Sequence, residues 1–134
     1  MRLKIWSWNV NGLRAVMNKD FIDTIQKESP DIIGLQETKL QEHQIPPQMA
    51  ELDKYQQYYS HAERKGYSGT ALLTRIAPIK VEYGIGIAEF DNEGRIIITE
   101  YDKFILFSIY FPNGAQSDER LDYKLRFYDR FLEV

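Results

Sequence analysis

Two apolar stretches, each closing on a side chain that carries oxygen ligands, constrain this chain more than any other feature. Residues 3–8 are β-favouring and aromatic with a single charge, Lys4, and run into Asn9, Val10, Asn11 and Gly12. Residues 31–36 contain Ile32, Ile33 and Leu35 and run into Glu37 and Thr38. The first predicts a strand that Asn11-Gly12 stops. The second predicts a strand buried on both faces, with Gly34 marking close backbone approach or a bulge. Between them Phe21, Ile22 and Ile25 recur at helical spacing. They predict a helix over 18–28, with Asn18 as its N-cap, Asp20 in its first turn and Ser29-Pro30 as its end. A strand, helix and strand in that order close as a parallel pair with a right-handed crossover. Asn9 and Glu37 then emerge side by side at the carboxyl edge of the sheet, where α/β folds bind ligands.

The rest of the chain reads as further strands over 55–61, 68–74 and 79–83, with a short helix over 47–52 inside a polar loop. Segments 95–101 and 104–111 predict a hairpin turned by Asp102-Lys103. The arm 104–111 is apolar on both faces, which predicts a central strand; Pro112-Asn113-Gly114 stops it. A final helix over 119–132 is expected to bury the stripe Leu121, Leu125, Tyr128 and Leu132, with Phe131 beside it. The fold class is therefore α/β: a mixed β-sheet with helices on one face. Two helices cover one face only. A second sheet from outside this chain is expected on the other, making residues 1–134 half of a four-layered α/β sandwich. Loops and a homodimer are the alternative cover. The last helical pattern runs on to Val134 without a glycine cap, so residues 1–134 are expected to be the amino-terminal half of a larger, truncated domain.

Composition narrows the chemistry. The chain has no Cys, so neither a disulfide framework nor a thiolate metal site is available. A net charge of −3 argues against nucleic-acid binding through bulk positive charge, although a local basic rim around an acidic pocket remains open. No leader segment and no apolar window of membrane-spanning length is visible, so an intracellular, cytoplasmic protein without a membrane partner is expected.

Glu37 and Asn9 are the leading site candidates. A carboxylate with amide oxygens and waters suits a hard cation such as Mg²⁺, although Glu37 read alone is equally an exposed carboxylate. Tyr110, near the end of the long arm, is either a phosphate hydrogen-bond partner or a core tyrosine. Asn113 either donates to phosphate or shapes its turn. Arg14, Lys39, Arg95 and Arg120 are either contacts to a nucleic-acid backbone or solvated surface charge. Tyr67 either presents its ring to a groove or packs in its loop. His43 and His61 are assigned no role, since neither has an evident partner.

The runs Trp8-Asn9-Val10-Asn11-Gly12-Leu13-Arg14, Leu35-Gln36-Glu37-Thr38-Lys39, Gly66-Tyr67-Ser68-Gly69 and Tyr110-Phe111-Pro112-Asn113 occur in this order, with Tyr83-Gly84-Ile85-Gly86 and Glu93-Gly94-Arg95 between. Together they resemble the exodeoxyribonuclease III and apurinic/apyrimidinic endonuclease family. The resemblance implies a four-layered α/β sandwich that cleaves DNA beside abasic sites or from 3′ ends with Mg²⁺ or Mn²⁺. It implies Glu37 as metal ligand and Asn9 as metal or phosphate positioner. Tyr110 would bind the scissile phosphate with Asn113 close by, and Arg14, Tyr67, Arg95 and Arg120 would contact DNA. Asn11 stands where some members carry Asp, which implies weaker metal binding. The family's Gly-Asp-x-Asn and Ser-Asp-His runs, which carry the acid–base work, do not occur in these residues. Two other readings stand beside it: a phosphodiesterase of the same fold acting on a lipid head group, and a non-catalytic half-domain that binds DNA or a complementing chain.

Overall fold

The computed structural model describes residues 2–115 and 117–133. The first sheet has the order β1-β2-β4-β3, from β1 (Ile5–Asn9), β2 (Ile32–Gln36), β3 (Gln56–Ser60) and β4 (Thr70–Thr74). The second has the order β5-β6-β7, from β5 (Lys80–Tyr83), β6 (Ile96–Glu100) and β7 (Ile105–Ile109). β1 and β2 are parallel, with Asn9 opposite Gln36, as the strand–helix–strand run predicts. Every other pairing is antiparallel. Four helices connect or cover the sheets: α1 (Leu13–Val16), α2 (Phe21–Glu28), α3 (Ala88–Asp91) and α4 (Asp118–Phe131).

The period-two alternation of each strand decides the layers. Ile33 and Leu35 of β2 and Ala71 and Leu73 of β4 point outward, onto Leu13, Val16, Phe21 and Ile25 of α1 and α2. Their neighbours Ile32 and Leu72 point the other way and meet Ile97 and Tyr101 from the second sheet. Ile96 and Ile98 of β6 face outward again, onto Tyr123 and Phe127 of α4. The described residues thus stack as helix, sheet, sheet, helix. The expected second sheet comes from this chain itself and not from outside it, because the antiparallel strands after residue 79 form a separate sheet. The gap between the sheets is narrow at Gly34, where an added Cβ would lie 2.7 Å from Ser108 Oγ. That is the close approach its position predicts.

Three local expectations need correction. Asn18 lies in a 3-10 turn (Met17–Lys19), and Asp20, with a left-handed φ of 59°, occupies the N-cap position of α2. The α4 stripe is rotated: Tyr123 and Phe127 are buried, whereas Leu125 is 53% and Leu132 81% exposed. Two aromatic rings meeting Phe90 edge-on bury more apolar area than leucines would there, so ring packing sets the helix orientation. Among the described residues β7 is an edge strand, not a central one, and Ile105 and Phe107 are exposed; β6 takes the middle. The short helices α1 and α3 have no sequence expectation, since four residues are too few to show periodicity.

Gly94 joins the two sheets. It carries a φ of +61°, and an added Cβ would meet the backbone of Ser60, His61 and Ala62 at 2.5–2.8 Å. Its carbonyl accepts a hydrogen bond from Thr70 Oγ1 of β4 at 3.0 Å. Gly94→Ala must displace one backbone from another, and the expected cost is about 2–4 kcal/mol in denaturant melts. A loss under about 0.5 kcal/mol would show that the sheets can part there without penalty.

Candidate active site

The carboxyl ends of β1 and β2 carry the site. β2 stops at Gln36, and Glu37 turns left-handed with φ of 55°. Asn11, Lys39 and Ser68 share that region, so four of the six non-glycine residues with positive φ among the described residues gather at this edge. Each such residue costs on the order of 1–3 kcal/mol, and surrounding structure must impose it. Backbone hydrogen bonds do so here. Gly12 and Leu13 donate to the carbonyls of Glu37 and Thr38 at 2.7 and 3.0 Å. Thr38 and Lys39 donate to the carbonyls of Gly69 and Ser68 at 3.1 and 2.8 Å. The loop 37–39 is held from both sides, and the Glu37 side chain has little freedom.

Asn9 Nδ2 donates to Glu37 Oε1 at 3.2 Å, and Asn9 Oδ1 accepts from the Asn11 N–H at 3.0 Å. Lys39 Nζ lies 3.5 Å from Glu37 Oε2 and donates to Asn11 Oδ1 at 2.8 Å. A hollow of about 250 Å³ opens beside this group, lined by Glu37, Lys39, Tyr67, Arg95, Tyr110 and Asn113 among others. The Tyr110 phenol is pushed up to about 12, by burial first and then by the hydrogen bond and negative charge of Glu37. It stays protonated at neutral pH and can donate. Asn113 Oδ1 accepts from the Ala115 N–H at 2.9 Å, which shapes its turn, and its amide still lines the hollow.

Behind the hollow lies an ion-pair network. Arg95 is buried, with only 2% of its side chain exposed. It donates to Glu93 Oε1 from Nε at 3.0 Å and from Nη2 at 2.8 Å. It also donates to the Tyr110 carbonyl at 3.1 Å and to the Tyr67 hydroxyl at 3.2 Å. Arg120 meets both oxygens of Glu93 and the same hydroxyl. Burial alone would raise the Glu93 carboxyl; the hydrogen bonds and positive charge of Arg120 and Arg95 outweigh it and hold the group below its usual value of 4.5.

A model of the Endonuclease/Exonuclease/phosphatase family matches residues 6–134. The chain belongs to this family. An exodeoxyribonuclease from Bacillus subtilis is 44% identical to it over 131 residues, covering 97% of this chain and 51% of that protein. A DNA-(apurinic or apyrimidinic site) endonuclease from Dictyostelium discoideum is 41% identical, covering 96% of this chain and 36% of its own length. Among solved structures, a 3′-5′ exonuclease from Neisseria meningitidis superposes with a TM-score of 0.83 at 26% identity, covering 98% of this chain and 50% of that one. An AP endonuclease from Archaeoglobus fulgidus gives 0.82 at 27% identity, covering 97% and 49%. The chain spans about half the length of the relatives it matches, or less.

Within this member of the Endonuclease/Exonuclease/phosphatase family, the fold brings together Asn9, Glu37, Lys39, Tyr67, Arg95, Tyr110 and Asn113. Arg120 sits behind them, and Arg14 stands exposed on α1 without lining the hollow. His61 does have a partner: its Nε2 lies 3.0 Å from Glu42 Oε2, and its ring stacks on Tyr59, a structural role. In the sequence Glu93 stands out only as part of the Glu93-Gly94-Arg95 run, with no role as the anion of a network. Opposite charges flanking Gly94 were the available signal. For a metal, the donor set is narrow. Among the described residues no three His, Cys, Asp or Glu side chains cluster for one. Glu37 offers one carboxylate at an open hollow, which fits an Mg²⁺ or Mn²⁺ that keeps most of its waters. Asn9 turns its amide nitrogen to Glu37, so it orients the carboxylate.

Glu93 gives a pH test. Its folded pKa lies below the ordinary 4.5, so its ion pairs contribute full stability above that value and lose it as pH falls through the folded pKa. Glu93→Gln should cost about 3 kcal/mol at neutral pH by leaving Arg95 unpaired. The gap between wild type and variant should narrow in melts taken at progressively acid pH. A gap that stays constant into acid would refute the depressed pKa.

Proposed function

We propose that this chain supplies one side of the active site of a metal-dependent DNA repair nuclease, an abasic-site endonuclease and 3′-5′ exodeoxyribonuclease. The observation that carries this reading is the fixed Glu37 carboxylate, oriented by Asn9 and adjoining a protonated Tyr110 at one hollow. The relatives named as exodeoxyribonuclease and AP endonuclease support the choice of DNA over a lipid head group as substrate.

Glu37 would hold Mg²⁺ or Mn²⁺, with Asn9 fixing its rotamer. Such an ion would supply positive charge to a phosphoryl oxygen as the linkage is hydrolysed. Tyr110 would donate to a non-bridging phosphate oxygen, which a phenol held up to about 12 can do without losing its proton. Lys39, Asn113 and Arg14 would hold neighbouring parts of the DNA backbone. Among the described residues none at the hollow is placed to take a proton from water: the one carboxylate among them is committed to Asn9 and Lys39, and His61 pairs elsewhere. A complementary half of the domain, bearing the Gly-Asp-x-Asn and Ser-Asp-His runs, would supply that chemistry; the relatives have the length for it.

The test is nicking of an abasic duplex with Mg²⁺, by the 134-residue chain alone and after mixing with a polypeptide that carries those two runs. Weak or no turnover alone and restored turnover on mixing is the expected result. Chelation should abolish it, and Tyr110→Phe should lower it about 10–100-fold. Turnover by the chain alone within about tenfold of an intact relative would overturn the half-site. Phosphate release from lipid head groups without any nicking would overturn DNA as substrate.

A further inference from the structure

We propose that Glu93 is a positioning residue for phosphate recognition, holding Arg120 and Tyr67, with the buried Arg95 behind them, as one pre-assembled donor group for a DNA phosphodiester adjoining the one at Glu37. This rests on the nuclease reading above and names a residue that reading does not use. Two hollows meet here. One contains Glu37, Tyr110 and Arg95; the other, of about 220 Å³, contains Arg64, Asn92, Glu93 and Arg120. Tyr67 lines both, so the Glu93 network forms the wall between them.

Three separate elements converge on this carboxylate. Arg95 leads into β6, Arg120 lies in the first turn of α4, and Tyr67 sits in the loop before β4. Glu93 Oε1 accepts from Arg95 and from Arg120 Nη2, and Oε2 accepts from Arg120 Nη1 at 3.3 Å. Ser117 Oγ caps α4 by accepting the Arg120 N–H at 3.1 Å, which fixes where that side chain starts. Without Glu93, two guanidinium groups would share one phenol with no anion between them, and the buried Arg95 would be an unpaired charge.

The phenol completes the argument. Arg120 Nη2 and Arg95 Nη2 donate to the Tyr67 hydroxyl at 2.8 and 3.2 Å. A phenolic hydroxyl both accepts and donates. With two guanidinium groups donating to its oxygen, its own proton remains available to donate. Arg64 lies over the ring at 4.9 Å to its centroid and restrains the ring plane. That O–H beside partly exposed Arg120 is a donor set for a phosphate oxygen, and Glu93 keeps its parts aligned.

A charge-trimming role for Glu93 predicts the opposite sign. Removing a negative charge from a DNA cleft should tighten binding, whereas losing the alignment should weaken it. The experiment measures binding of a fluorescein-labelled duplex with a stable abasic analogue, in chelator, across a series of salt concentrations. Glu93→Gln should bind about five- to tenfold more weakly despite its more positive charge, with a salt slope shallower by about one phosphate contact. Glu93→Asp keeps the charge but is too short to reach both guanidiniums, and should also weaken binding. It decides the matter if the Gln variant does not fold in thermal melts. A merely structural role would lower the melting temperature and leave affinity and slope unchanged. Equal or tighter binding by Glu93→Gln, or wild-type affinity in Glu93→Asp, overturns the proposal while leaving the nuclease reading intact. Failure of the wild-type chain to bind any duplex overturns both.

Discussion

Four backbone hydrogen bonds around residues 37–39 set up the rest of the molecule's working edge. They tie the end of β2 to the start of α1 on one side and to the loop before β4 on the other. The strain of three left-handed residues at positions 11, 37 and 39 is tolerated because their neighbours' amides have nowhere better to go. A carboxylate on a flexible loop would sample many directions. This one is placed by main chain, and Asn9 then fixes its last torsion.

Charge is distributed with similar economy. A chain of net charge −3 has no general attraction for a polyanion, so any affinity must be local. Lys39 stands in front of Glu37, and Arg95 and Arg120 stand behind it, each paired with a carboxylate. Paired cations are oriented before a ligand arrives, and less side-chain entropy is lost on binding. The buried Arg95 also anchors the Tyr110 carbonyl, and so links the wall to the hollow.

The two sheets meet through a small interior of Ile32, Leu72, Ile97 and Tyr101, bridged by the hydrogen bond from the Tyr101 hydroxyl to Thr74 at 3.2 Å. β1 and β7 each keep one unpaired edge among the described residues. Ile5, Ile105 and Phe107 are exposed there, apolar side chains on strands whose edges are open.

Local pattern was enough to determine the strands, the parallel β1–β2 pair and the meeting of Asn9 with Glu37. Those follow from period-two alternation, a helix between two strands and the handedness of crossovers, all carried by neighbouring residues. The motif order was likewise enough to place the chain in its family. Only tertiary structure decided that residues 80–109 make a second sheet, that α4 buries Tyr123 and Phe127 in place of its leucines, and that Glu93 reaches Arg120, 27 positions on, and so joins it to Arg95. Each is a choice between faces or partners that look equally good along the chain. Which one wins depends on what lies opposite in space, and a linear pattern of residues does not encode that.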